Sequence, residues 1–270
     1  MSGAYFEDGE NYKIIDNKKV KMTSYSGGEI VEILDTSNKK NYLACIKKID
    51  KNRYIDLRDG ETKQYNKSRT TKSNDSIRKS MRRLERILRN NFKGESNELY
   101  ITLTTAGKVT DANLMKKYFK RFWTRLKNIY GNMIYVYIIE QHKDMKSWHI
   151  HCLIKAPEEK YLYIDNKIIS KLWEKGNTVT LGIKKDDNSI DRVITYMSKQ
   201  YSKQNIPVDT RCYYKSKGIK MPEVKKIVYS QIRTELDSHY ELSSEQTTLL
   251  RSERTDAILN KIKKETWKKL

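Results

Sequence analysis

The chain has 270 residues, with 55 lysines and arginines against 34 acids and a formal charge of +21. An excess of this size calls for a polyanionic partner, nucleic acid before membrane. No apolar stretch approaches the roughly 20 residues that span a bilayer, and no signal peptide opens the chain, so a membrane role is excluded and the cytoplasm is the expected location. Cys45, Cys152 and Cys212 are odd in number and far apart, which fits reduced thiols rather than a disulfide frame or a zinc knuckle.

Residues 1–70 are polar and turn-rich. The short alternating pieces 28–34, 42–46 and 53–57 predict strands of a small N-terminal β extension. Lys67–Asp75 is a polar linker that ends in a helix cap at Asn74 or Asp75. From Ser76 the period becomes helical. Ile77, Met81, Leu84 and Leu88 make one stripe, and Arg78, Arg82, Arg83, Arg86 and Arg89 cover the rest, with Glu85 the only acid among them. So many unneutralised arginines point to contact with nucleic-acid phosphates.

Glu98–Thr105 alternates and predicts a strand with Thr102 and Thr104 on one face. Leu114, Tyr118, Phe122, Leu126 and Ile129 mark a second helix, capped near Thr110 or Asp111 and stopped by Gly131. Residues 134–140 and 148–154 predict two strands joined by the polar stretch 141–147, and 178–183 a further strand. A helix follows over about 191–204, and beyond Met221 the pattern reads as helical and polar.

The strand Trp148–Ile154 carries His149 and His151, two of the four histidines. Residues two apart in a strand share a face, so both imidazoles point the same way, and Trp148, Ile150, Cys152 and Ile154 pack on the other. Paired imidazoles in a buried sheet cost desolvation unless something binds them. A hairpin would bring Glu140 across from the start of this strand as a third ligand. Two imidazoles and a carboxylate with open positions suit a catalytic divalent ion, manganese or magnesium, better than a closed zinc site. The same pair also fits two core histidines bonded to backbone, with Glu140 merely ending a strand.

On the 191–204 helix, Ile190, Val193, Ile194, Met197 and Tyr201 form the packing stripe. Arg192, Tyr196, Lys199 and Lys203 follow at intervals of four, three and four, so they share the opposite face. A tyrosine among cations is placed for phosphate chemistry as a nucleophile. Tyr201, five residues from Tyr196, falls with the stripe; it is mainly core and secondarily a candidate second nucleophile.

In this order, Tyr100–Thr105, Glu140 with His149-Ile150-His151, and Tyr196-Met197-Ser198-Lys199 resemble the three motifs of the HUH endonucleases, within them the rolling-circle replication initiators of plasmids and phages. Tyr213–Gly218 looks like a tract that follows the nucleophile helix in those proteins. The resemblance covers about residues 76–222. It implies an α+β fold, with a central, mainly antiparallel sheet of four to five strands and packed helices. It divides the chain into residues 1–70, a nicking domain at 71–222 and a helical C-terminal segment at 223–270.

The implied activity is metal-dependent nicking of one DNA strand at a replication origin through a 5′-phosphotyrosine intermediate. Glu140, His149 and His151 would hold manganese or magnesium, Tyr196 would attack and Lys199 would stabilise charge. Arg78, Arg82, Arg86, Arg89, Arg192 and Lys203 would grip DNA. The implied partners are single-stranded or hairpin origin DNA and, because no Gly-x-x-x-x-Gly-Lys-Ser/Thr loop is present, a helicase and a polymerase in trans. A mobilisation relaxase or a HUH transposase would share this chemistry. A non-enzymatic nucleic-acid-binding regulator would keep the histidines as structure.

Overall fold

A computed structural model describes residues 4–36, 46–50, 52–57, 59–65, 71–107, 109, 111–141, 148–183, 189–200, 210–252 and 255–270. The chain divides into two compact units, one built from Met1–Arg69 with Pro222–Leu270 and the other from Thr70–Met221. Among the described residues, no helix is long and apolar enough to cross a membrane.

In chain order the first unit opens with β1 (Ala4–Gly9), β2 (Lys19–Tyr25), β3 (Ile30–Thr36), β4 (Ile46–Lys48), β5 (Arg53–Asp56) and β6 (Thr62–Gln64). The second contains α1 (Asn74–Asn91), β7 (Glu98–Thr104), α2 (Ala112–Tyr130), β8 (Ile134–Gln141), β9 (Trp148–Lys155), α3 (Asn166–Trp173), β10 (Thr178–Gly182), α4 (Ser189–Gln200) and β11 (Tyr214–Lys215). The chain then returns to the first unit with β12 (Glu223–Val228), α5 (Tyr229–His239), β13 (Tyr240–Ser252) and β14 (Ile258–Lys269). The whole is α+β with antiparallel sheets, as expected from the strand and helix periods. Residues 42–45 of the expected strand at 42–46 lie outside the described residues.

The C-terminal segment corrects the expectation of a helical tail. Residues 223–270 hold one helix, α5, and three strands. The long strands β13 and β14 pair with each other and complete a six-stranded sheet in the order β1-β13-β14-β3-β2-β12. Their inward face is charged, which hides the strand period. Lys263, Glu265 and Trp267 alternate inward on β14 and are all buried. Lys263 Nζ lies 2.9 Å from Glu245, and Glu265 accepts hydrogen bonds from Tyr229 Oη at 3.0 Å and Trp267 Nε1 at 3.1 Å. Asp35, opposite Lys263, accepts from Lys18 Nζ at 2.7 Å and Tyr12 Oη at 2.9 Å. Buried charges survive because each finds partners. A pattern search keyed to apolar residues does not see them.

The second unit is a five-stranded antiparallel sheet in the order β10-β7-β9-β8-β11. Helix α1 starts at Ser73, one residue before the expected cap, where Ser73 Oγ accepts from Ser76 N–H. Helix α2 starts at Asp111 and stops at Gly131, whose φ of 76° suits glycine. Its buried stripe is Met115, Phe119, Phe122 and Leu126; Ile129, expected inside, is exposed. Strand alternation gives the sheet two apolar faces. Leu99, Ile101, Leu103, Ile139, Ile150, Cys152 and Ile154 pack with α2 and α3. Tyr100, Val136, Ile138 and Leu153 pack with α1 and α4. Helix α3 is not announced by the pattern, since its eight residues bury just Ile169 and Trp173.

The loop after α3 clamps the end of β7. Trp173 Nε1 donates to Thr104 O at 2.7 Å, Thr104 N–H to Asn177 O and Ala106 N–H to Lys175 O. Gly176 (φ 153°) allows this approach, because a Cβ there would fall 2.5 Å from both Thr104 O and Ala106 N. Gly176→Ala is therefore expected to cost about 1–3 kcal/mol in thermal or denaturant unfolding, the scale of an overpacked site. Gly107→Ala, with open space around the added methyl, is the near-neutral control.

Candidate active site

Strand register assembles the site. In the β8–β9 pairing Glu140 lies opposite His149 and Ile138 opposite His151. In the β7–β9 pairing Thr104 lies opposite His149 and Thr102 opposite His151. The expected crossing of Glu140 onto the histidine strand is thus what the fold makes; the connecting residues 142–147 lie outside the described residues. Alternation sends Ile150, Cys152 and Ile154 to the α2/α3 side, with Trp148 packed there too. The histidines stand on the face occupied by α1 and α4.

The two imidazoles are held by hydroxyls. His151 is 6 % exposed. Its Nδ1 is hydrogen-bonded to Tyr100 Oη at 2.7 Å and lies 3.3 Å from Thr102 Oγ1; His149 Nδ1 is 3.0 Å from Thr104 Oγ1. A hydroxyl can donate or accept, so either tautomer is satisfied on the Nδ1 side and Nε2 is left for the site. Burial raises the Tyr100 hydroxyl above the usual phenol range, and the charge of Glu140 adds to it, so Tyr100 remains a neutral hydrogen-bonding partner. These hydroxyls are functional residues that the motif reading left unassigned. The signal was present: Tyr100, Thr102 and Thr104 alternate on one face of β7, directly beside the histidines.

Helix α4 supplies the third component. Ile190, Ile194 and Met197 are buried against the α1 side of the sheet, as the stripe predicted. Tyr196, 38 % exposed, lies beside them, and its hydroxyl reaches 3.3 Å from Glu140 Oε2 and 3.4 Å from His151 Nε2. Its ring meets the His151 ring edge-on, centroids 5.1 Å apart. Tyr196, Glu140 and His151, separated by up to 56 positions in the chain, therefore converge on one point.

Glu140 Oε2 and His151 Nε2 are 2.9 Å apart. Desolvation works to raise the Glu140 carboxyl, but hydrogen bonding and charge from His151, helped by Tyr196 and His149, hold it below the usual range. For Tyr196 the effects add. Desolvation and the adjacent Glu140 charge push its phenol up to about 12.

Glu140, His149 and His151 are the donors a divalent ion would use. Two donors of one ion at about 2.1 Å each and about 90° apart are separated by about 3 Å, which matches the Glu140–His151 spacing. Among the described residues, no three such groups already surround one point, because His149 stands off with its ring centroid 6.0 Å from that of His151.

The remaining expected residues divide. Arg192 is exposed on α4. Lys199 lies near the end of α4 with its side chain outside the described residues; Tyr201 and Lys203 lie wholly outside them. On α1, Arg78 and Arg82 are exposed and Arg86 is half-buried. Arg89 corrects the picture of an unneutralised row. It bonds Glu85 at 3.2 Å and Asp191 at 2.6 Å, so it ties α1 to α4. A basic face without an assigned role lies on α2, where Lys116, Lys117, Lys120, Arg121 and Arg125 occur in a helix with no acid. Arg125 is ion-paired to Glu174.

The electrostatics give a titration test. Without added metal, the absorbance step assigned to Tyr196 by subtracting the Tyr196→Phe protein should lie near pH 12. Glu140→Gln removes the neighbouring negative charge and should move that step down toward the ordinary phenol value of about 10. A step that stays in place would mean that Glu140 does not set the tyrosine's proton affinity.

Residues 98–204 match the family model of the replication-associated protein ORF2. No curated protein and no solved structure matches the chain. The matched stretch begins with β7 and runs past α4, so it holds Tyr100, Glu140, both histidines and Tyr196 together. The kinship with replication initiators expected from the ordered motifs is borne out: the site-bearing segment of this chain, residues 98–204, is of the replication-associated protein ORF2 family.

Proposed function

We propose that this protein starts rolling-circle replication by nicking one strand of an origin, with Tyr196 as the nucleophile. The observation that carries the reading is the convergence of the Tyr196 hydroxyl on Glu140 and His151, 3.3 and 3.4 Å away. A tyrosine, a carboxylate and an imidazole at one point, in a segment of a replication-associated family and on a chain of charge +21, support phosphoryl transfer from DNA. The family match favours replication over mobilisation or transposition.

In this reaction a bond forms between Tyr196 Oη and phosphorus, and the bond from phosphorus to the 3′ oxygen breaks. The phenolic proton passes to Glu140 or His151, the groups within reach of it, and a proton is taken up at the released 3′-hydroxyl. The DNA remains joined to Tyr196 through its 5′ phosphate. At neutral pH Tyr196 is held as the phenol, so loss of its proton accompanies attack rather than preceding it. Glu140, His149 and His151 would hold a manganese or magnesium ion, which supplies Lewis acidity toward the phosphoryl oxygen. Tyr100, Thr102 and Thr104 would orient the imidazoles, as partners of ligand histidines do. Lys199, three residues beyond Tyr196, is assigned to charge stabilisation, and Arg78, Arg82, Arg86 and Arg192 to the DNA backbone. The DNA is single-stranded or extruded as a hairpin, with helicase and polymerase acting in trans.

Incubation with single-stranded DNA of the parent replicon's origin and manganese should give a covalent adduct on a denaturing gel. Tyr196→Phe should abolish it while leaving DNA affinity and melting temperature near wild type. Peptide mass spectrometry that places the DNA on another tyrosine, Tyr201 included, would reject the assignment. A protein that binds DNA but never forms an adduct would be the non-enzymatic regulator instead. For the ion, titration calorimetry with manganese should show binding to the wild type that His151→Ala weakens at least about tenfold, the scale at which second-sphere losses already act. Equal affinity in the two proteins rules out the ligand set.

A further inference from the structure

A second site lies at the β11 edge of the same sheet. There the first half of α1 and the segment 210–215 enclose a cleft of about 550 Å³, within the roughly 300–1,000 Å³ of small-ligand sites. Four cations line it, Lys72, Arg83, Arg211 and Lys215, and the described lining residues include no carboxylate. Tyr213 forms part of the wall. It is half-buried, packs against the α1/α4 side of the core, and lies close enough to Arg83 to feel its charge. Ser80 and Thr210 add hydroxyls.

The position of the cleft is set by β11. Tyr214 pairs with Tyr137 and Lys215 with Val136 on β8, so Tyr213 and Arg211 continue along β8 toward Glu140. The Tyr214–Tyr137 pair is three residues from Glu140, about 10 Å along the strand and one strand over. The walls are rigid. Ser216 N–H donates to Tyr135 O at 3.0 Å, Tyr135 N–H donates to Ser216 Oγ at 3.0 Å, and Gly218 lets the turn lie on Ile134, whose methyl would be 2.6 Å from an added Cβ. At the far end, Asn91 and the backbone of Lys220 exchange hydrogen bonds at 2.8 and 2.9 Å and fix the segment to α1.

We infer that this cleft binds a nucleotide of the substrate strand a few positions from the cut, with cations on its phosphate and the Tyr213 ring against its base. A cluster of cations recognises a phosphodiester, and an aromatic wall adds a sequence-tolerant base contact. A free inorganic anion would use the cations and leave the ring idle. The inference rests on the reading of this protein as a single-strand nuclease. It assigns the segment after α4 a part in holding DNA, separate from the chemistry at Tyr196.

The test is fluorescence anisotropy of full-length protein with a labelled single-stranded oligonucleotide, and with a set in which one abasic position moves along the strand. Tyr213→Leu keeps an apolar side chain against the core and loses the aromatic face. It should weaken binding about 5- to 150-fold, the range of one lost stacking contact. In wild type one abasic position should cost affinity, and in Tyr213→Leu that position should cost nothing more. Arg83→Gln with Arg211→Gln should lower the slope of log affinity against log salt by about 1.4, at about 0.7 per phosphate contact on a single strand. Thermal melting confirms that both proteins are folded; should Tyr213→Leu fail to fold, the arginine pair and the wild-type abasic scan decide. Unchanged affinity and slope in the arginine pair overturn the inference. A loss confined to the arginine pair, with no abasic position standing out in wild type, overturns the base contact and leaves an anion site. Adduct formation by wild type is scored in parallel. An adduct with an inert cleft defeats this inference alone, and a working cleft without an adduct defeats the nicking assignment alone.

Discussion

Two antiparallel ladders meet on β9, and the site depends on their register. On one side β9 sets His149 against Glu140, and on the other it sets the same residue against Thr104 and His151 against Thr102. A shift of one residue in either ladder would turn the partner's side chains to the opposite face. Glu140 would then point toward α2, or the threonines would leave the imidazoles. The register is held by what lies behind it, since Ile101, Leu103, Ile139, Ile150 and Cys152 all fill the core on the reverse side of the sheet. The polar site and the apolar core are thus the two faces of one alternation, and each enforces the other.

Helix α4 depends on that frame in turn. Its buried residues Ile194 and Met197 seat it on the side of the sheet that carries the histidines, and the seating carries Tyr196 to within hydrogen-bond range of Glu140 and His151. The ion pair between Arg89 and Asp191 ties the first turn of α4 to α1. An exposed pair of this kind contributes little to stability, about 1 kcal/mol at most. Its effect is to favour one placement of a helix that carries a reactive group. Arg89, which composition alone would place on DNA, therefore serves the position of Tyr196.

The charges near the reactive groups oppose those of the chain as a whole. The protein carries +21, yet the tyrosine that would attack sits against a carboxylate that keeps it protonated. The basic side chains lie around this point rather than at it, on the exposed surface of α1, along α2 and in the cleft at β11. Such a distribution separates two tasks. Long-range attraction of a polyanion comes from the periphery, and control of the phenolic proton from the close contact with Glu140.

Much of this was legible in the chain itself. Period-two alternation located β7, β8 and β9, the shared face of His149 and His151 followed from their spacing, and a hairpin between 134–140 and 148–154 placed Glu140 beside them. The stripe on α4 separated Tyr196 from Met197. The order of these pieces also identified the family that residues 98–204 match. Other features were decided only by the tertiary structure. Strand β14 turns Lys263 and Glu265 inward, so its apolar period vanishes and the segment passes for a polar helix; the partners that make those charges tolerable lie on β13 and α5. Helix α2 carries apolar residues on adjoining stripes, and only contact with the sheet selected Met115 and Phe119 over Leu114 and Ile129. Arg89 met its carboxylate 102 positions away, and the β11 cleft joins Lys72 and Arg83 to Arg211. The local periods follow from backbone geometry, which every short segment carries within itself. Neutralisation of a charge, tolerance of a buried ion and enclosure of a cleft require groups from distant segments, and folding alone sets which of them meet.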